Sequence, residues 1–239
     1  MRIDYNLMKI EKNFREKEIQ SAFQLINDLK TEYPKTTRIN EFFKKNNFKY
    51  KKKMKINSNE IEILYSKSNS QDIKTIVNSF LKKEPENAYV NSFLGNYYGK
   101  INELNNARIC QEKAILSNPY EESFYINLAT TYKFLGALDM SIKILEYILL
   151  IHPKNETALL LHADVCFISS QFKKSFASYK NLICLEHNSK NTKYKKEYCH
   201  KLIISNQIEK AKNILKDLVE EKDVIDVLYY KSLILIEEK

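Results

Sequence analysis

Glycine, proline and tryptophan are scarce in this chain: three glycines, four prolines and no tryptophan among 239 residues. So little punctuation excludes the β-hairpin turns and tight α/β loops that depend on residues with special φ. Gly95, Gly99 and Gly136 also cannot be arranged into a phosphate-binding loop or a dinucleotide fingerprint. Long apolar runs are lacking too. The longest, LEYILLI ending at Ile151, is far short of the roughly 20 residues that span a bilayer. The opening stretch, MRIDYNLMKIEKNF, is broken by charges where a signal peptide would be apolar. These absences predict a soluble, cytoplasmic protein with no membrane partner. Cys110, Cys166, Cys184 and Cys199 show no close CxxC spacing and read as reduced thiols. What is present favours helix: 44% of residues are apolar, and they recur at helical spacing, as in Ile142, Leu145, Ile148 and Leu149.

Arginine is the other rarity. Only Arg2, Arg15, Arg38 and Arg108 are arginine among 39 basic residues, and the chain is rich in Asn and Ile. The net charge of +9 is concentrated at one end, because residues 1–55 hold 15 Lys+Arg against 7 Asp+Glu and the remainder holds 24 against 23. Its centre is residues 44–55, where Lys44, Lys45, Lys49, Lys51, Lys52, Lys53 and Lys55 alternate with Phe48 and Tyr50, just after Phe42 and Phe43. Lysines interleaved with aromatics can grip phosphates and stack on bases. Planar phosphate recognition favours arginine, however, so the segment reads first as a solvated connecting helix, with RNA binding as the weaker reading.

An internal period organises the rest. Pro85, Pro119 and Pro153 are spaced by 34 residues, and the two intervening segments align without gaps. A third copy ends on His187. Small residues recur at two slots, Gly95, Ala129 and Ala163 at one and Ala107, Ser141 and Ser175 at the other. Two helices of a hairpin approach closely only where the crossing side chains are small. Large residues surround the crossing, with Leu94 and Leu128, then Tyr98 and Tyr132. Gly136 falls between the helices of its unit, where positive φ ends the first helix.

This pattern resembles the tetratricopeptide repeat family, closely over residues 88–153 and recognisably to His187. The resemblance implies an all-α fold, a right-handed superhelical array of antiparallel helix pairs, each packing only against its neighbours and together leaving a concave groove lined by first helices. The expected divisions are a degenerate helix pair plus an extra basic helix over 1–53, a degenerate repeat over 54–87 with Ile61 and Ile73 in the small slots, and three repeats over 88–189. A divergent repeat over 190–223 follows, its phase slipped by about two residues, with Cys199 and Ala211 in the small slots. The apolar helix over 224–239 either tucks one face onto the preceding pair or mediates self-association.

From the phase, the groove should present Tyr89, Ser92, Asn96, Ile126, Asn127, Thr130, Lys133, Leu160 and Asp164. Such a mixed surface suits a peptide or helix of a protein partner. Asn96 and Asn127 match the asparagines of the family's clamp for C-terminal carboxylates. Ser92, Thr157 and Leu161 stand where its basic residues belong, which argues against that ligand. His162, Cys166, Cys184 and His187 resemble a zinc set in spacing. An antiparallel pair would separate Cys166 from Cys184 by about 15 Å along the axis, so no metal is expected. The expected function is a non-enzymatic interaction scaffold without cofactor. The alternative is a substrate-presenting module associated with a bacterial glycosyltransferase, sulfotransferase or oxygenase.

Overall fold

The computed structural model describes residues 2–53, 73–185, 191–220 and 224–237, and within them thirteen helices and no strand. The chain forms two compact units, Met1–Pro153 and Lys154–Lys239. In the first, α1 (Arg2–Arg15) pairs with α2 (Ile19–Glu32), followed by α3 (Arg38–Lys53), α4 (Ile73–Lys83), α5 (Ala88–Lys100), α6 (Leu104–Ser117), α7 (Glu122–Phe134) and α8 (Leu138–Ile151). The second holds α9 (Glu156–Ile168), α10 (Phe172–Ile183), α11 (Asn191–Ile204), α12 (Ile208–Glu220) and α13 (Val224–Glu237).

One turn closes five hairpins. Lys17, Asn102, Gly136, Ser170 and Asn206 all have φ between 56° and 75°. In each hairpin the next residue donates its N–H to a carbonyl five residues back, at 2.7–2.9 Å, as Glu103 does to Tyr98 and Gln171 to Cys166. The left-handed residue itself bonds three residues back, which completes a Schellman motif and satisfies carbonyls the helix end would otherwise orphan. Glycine supplies one of these five positions. Asparagine, which tolerates left-handed backbone, supplies two, while Ser170 and Lys17 take it at some cost. Two second helices end before proline, at Asn118 before Pro119 and at His152 before Pro153, which cannot continue a helix.

The small slots lie at equivalent crossings. Ala107, Ala129, Ser141, Ala163, Ser175, Cys199 and Ala211 are fully buried, and Gly95 is buried with them. The Ser141 hydroxyl donates to the Ala129 carbonyl at 2.8 Å, and the Cys199 thiol approaches the Ala211 carbonyl at 3.8 Å. Burial pushes the Cys199 thiol up to about 12, so it remains protonated there. In the first unit α4 through α8 stack in chain order, with Val77 and Phe80 of α4 packed on Val90 and Phe93 of α5. In the second unit α13 rests on α11 and α12, burying Tyr230 and Ile234 while Tyr229 and Leu235 stay exposed. Ile61, Lys55 and His187 lie outside the described residues, as do the side chains of Ile73, Val224, Ile225, Val227, Leu228 and Ile236.

The N-terminal hairpin departs from the expectation that each unit packs only on its chain neighbours. Helix α2 packs against α8, where Phe23 stacks on Tyr147 with centroids 4.3 Å apart and meets Tyr125 edge-on at 5.5 Å. Phe14 of α1 meets Tyr120 at 5.4 Å and Phe43 of α3 at 5.8 Å. The reason is α3, which bridges the turns that open α5 and α7. There Tyr50 accepts the Ala88 N–H at 3.0 Å, Asn118 donates to Asn47 at 2.8 Å, and Asn47 donates to Glu121 at 3.0 Å. With α3 laid along those turns, Phe14 packs on Tyr120 in the turn before α7, and Phe23 meets both Tyr125 of α7 and Tyr147 of α8. Edge-to-face and stacked rings each add about 0.5–1.5 kcal/mol beyond their burial.

Candidate functional site

The faces of α5 and α7 on the first-helix side enclose a hollow of about 320 Å³ lined by Gly95, Asn96, Gly99, Asn127, Thr130 and Phe134, among others. Ligand pockets run from about 300 to 1,000 Å³, so this hollow has room for a large side chain or a short stretch of main chain. Asn96, Asn127 and Thr130 are thus brought to one place. The Thr130 hydroxyl is turned back to the Ile126 carbonyl at 2.9 Å, which leaves its methyl for the hollow. Lys133, one residue before the lining Phe134, is half-buried.

Four groove residues are placed otherwise. Ser92 is 1% exposed and belongs to the interior, because its hydroxyl donates to Gln111 Oε1 at 3.2 Å and accepts from Asn127 Nδ2 at 3.1 Å. Tyr89 is half-buried and engaged by α3: its hydroxyl donates to Glu121 at 2.6 Å, and Lys51 lies 5.5 Å above its ring. Leu160 and Asp164 stand on α9 of the second unit, where Asp164 pairs with Lys201 at 3.4 Å, itself 4.5 Å over the Phe167 ring.

Glu121 ties this region to α3. Burial alone would raise its carboxyl, but hydrogen bonds from Tyr89 and Asn47, the charge of Lys51 and a bond from Ser123 outweigh that and hold it below the ordinary carboxylate value. In the basic segment, Phe43 is buried and Phe42 and Tyr50 are half-buried; Phe48 is exposed, with Lys52 4.9 Å above it. Most of the aromatics that would stack on bases are therefore committed to packing. His162 and Cys166 are buried in α9, His162 Nδ1 lying 2.8 Å from the Ser178 hydroxyl, whereas Cys184 is exposed at the end of α10. Among the described residues no cluster of His, Cys, Asp and Glu could hold a metal, and no helix is long and apolar enough to cross a membrane.

Sequence reasoning missed Gln111. It is fully buried on α6, and its Nε2 donates to the Ser92 carbonyl at 3.2 Å and to Asn96 Oδ1 at 2.8 Å. The signal was available, since the same slot one and two periods later holds Leu145 and Tyr179.

Helical hairpins closed by one recurrent turn and crossing at small residues define a helical repeat protein with a hollow on its first-helix face. More narrowly, the fold is that of the tetratricopeptide-repeat proteins. The chain is similar to YrrB, a TPR protein with an unusual peptide-binding site, at 12% identity and a TM-score of 0.58 over 87% of this chain and 97% of that one. It is also similar to PilW, a type IV pilus biogenesis factor, at 13% identity and a TM-score of 0.56 over 95% and 96% of the two chains. A third likeness is to TTC0263, a thermophilic TPR protein of Thermus thermophilus, at 18% identity and a TM-score of 0.52 over 74% and 98%. No family model matches the sequence, and no curated protein matches it. At these identities the likeness establishes the fold.

Proposed function

We propose that this protein is an interaction scaffold that holds an extended segment of a protein partner in the hollow between α5 and α7. The observation that carries the reading is the paired amides, Asn96 and Asn127, at the wall of a hollow otherwise lined by glycine, threonine, Lys100 and the apolar Leu104 and Phe134. Amides match the donors and acceptors of a peptide main chain, and Gly99, where a β-carbon would meet nothing within 4 Å, allows that chain to approach the helix backbone closely. Phe134, 66% exposed at the rim, provides an apolar anchor. The peptide-binding site of YrrB, on the same fold, is in keeping with this use.

The test is selection of binders from a displayed library of linear peptides on the intact protein. Binding of the best peptide should fall at least about tenfold when Asn127→Ala and Lys133→Glu are combined, the loss expected for one good hydrogen bond and one charge contact. Unchanged affinity in the double variant would remove the hollow as the site.

A further inference from the structure

We propose that Gln111 is a positioning residue that sets the hydrogen-bond polarity of the hollow, making Asn96 present its NH2 group and Asn127 its carbonyl oxygen to the ligand main chain. The proposal deepens the peptide-binding reading above and rests on it. The Ser92 carbonyl is a group that can only accept. It lies 3.2 Å from the Gln111 amide, so the amide must turn its Nε2 toward it. The Oε1 end then falls on the Ser92 hydroxyl, which donates its one proton there at 3.2 Å. With that proton spent, the hydroxyl can only accept, and it takes a hydrogen from Asn127 Nδ2 at 3.1 Å. The second hydrogen of Gln111 Nε2 goes to Asn96 Oδ1 at 2.8 Å.

Every member of the chain is thereby oriented by one main-chain carbonyl. Asn96 keeps Nδ2 for the hollow and Asn127 keeps Oδ1, so a ligand meets a donor from α5 and an acceptor from α7. A peptide main chain satisfies both if its C=O meets Asn96 and its N–H meets Asn127. Gly95 makes room for the relay: a β-carbon there would sit 2.6 Å from Gln111 Nε2 and 2.8 Å from its carboxamide carbon.

Hydrogen exchange of side-chain amides in the ligand-free, isotope-labelled protein tests the relay by NMR. The Gln111 NH2 and the bonded proton of Asn127 should be protected, whereas Asn96 NH2 should exchange freely. In Gln111→Met, which keeps the length of the side chain without its donors, Asn127 should exchange about tenfold faster while the helical circular dichroism is unchanged. A protected Asn96 NH2 in the wild type, or unaltered Asn127 protection in Gln111→Met, would overturn the proposal. If Gln111→Met does not fold, the wild-type pattern alone still decides.

The selected peptide supplies the second arm, through replacement of each main-chain amide by an ester, which deletes one N–H. One replacement should weaken binding about tenfold to the wild type and less than about twofold to Gln111→Met. An identical ester profile in both proteins would overturn the assignment. If no peptide is retained while the exchange pattern holds, the peptide reading of the hollow fails and the orientation of the two amides stands.

Discussion

The hairpins α5–α6 and α7–α8 follow one template with different contents. At the first crossing Gly95 faces Gln111, and the interior holds a chain of four polar side chains. At the second, Ala129 and Leu145 are fully buried, and the Ser141 hydroxyl bonds to the Ala129 carbonyl. The starts differ as well. Asn87 and Asn155 cap α5 and α9 by accepting from Val90 and Ala158 N–H, whereas Glu121, one period from each, makes no cap with its side chain and reaches Tyr89, Asn47 and Lys51 instead. The lesson is that a repeat slot specifies a volume and a direction, and a single hairpin can spend that volume on polar groups provided every one finds a partner.

Leu145→Gln should break the comparison most severely. It removes a buried apolar side chain and places an amide against Ala129 with no relay to join, at a cost of about 3–5 kcal/mol in denaturant unfolding. Equal tolerance of glutamine at both crossings would mean that the relay around Gln111 is incidental. Gly95→Ala should come next. A helix usually gains about 1 kcal/mol from that change. Here the new β-carbon displaces an amide holding three hydrogen bonds, and a net loss of about 1–3 kcal/mol is expected. A higher melting temperature for Gly95→Ala would contradict it.

The serine slots sharpen the contrast at smaller scale. Ser141 spends its hydroxyl on the Ala129 carbonyl, while the buried Ser175 hydroxyl has no partner among the described residues. Ser141→Ala should therefore cost about 1 kcal/mol and Ser175→Ala should be neutral or stabilising, read as paired unfolding midpoints.

The smallest effect is expected from Glu121 and pH. A carboxyl depressed on folding contributes stability that is fully present above its unfolded value, near 4.5, and is lost as pH falls through the folded value. Exchange protection of α3 amides should therefore decline below about pH 4.5 in the wild type and decline less in Glu121→Gln. A wild-type profile flat down to about pH 3 would mean that Glu121 does not hold α3.

Much of the fold could be read in advance, because a 34-residue period with small and large slots is a local instruction repeated in place. The crossings at Ala129 and Ala163 follow from it, as does the left-handed turn at Gly136. Lys17, Asn102, Ser170 and Asn206 take the same turn without a glycine to announce it, because asparagine tolerates left-handed backbone and the two local bonds of the helix end hold Lys17 and Ser170 in it. The hollow was legible in part. Asn96, Asn127 and Thr130 share a face by phase alone, but burial of Ser92 required Gln111 to reach across from α6.

By itself, then, the sequence determined the helical hairpins, their turns and the residues that cross within each one, because those depend on spacing along a single stretch of chain. Only the tertiary structure decided that α1 and α2 lie against α8, that Tyr89 is taken by Glu121, and which way the groove amides turn. Those outcomes hinge on rings and hydrogen-bond partners brought from distant segments, and whether such groups meet depends on the closure of the whole unit, which no periodicity encodes.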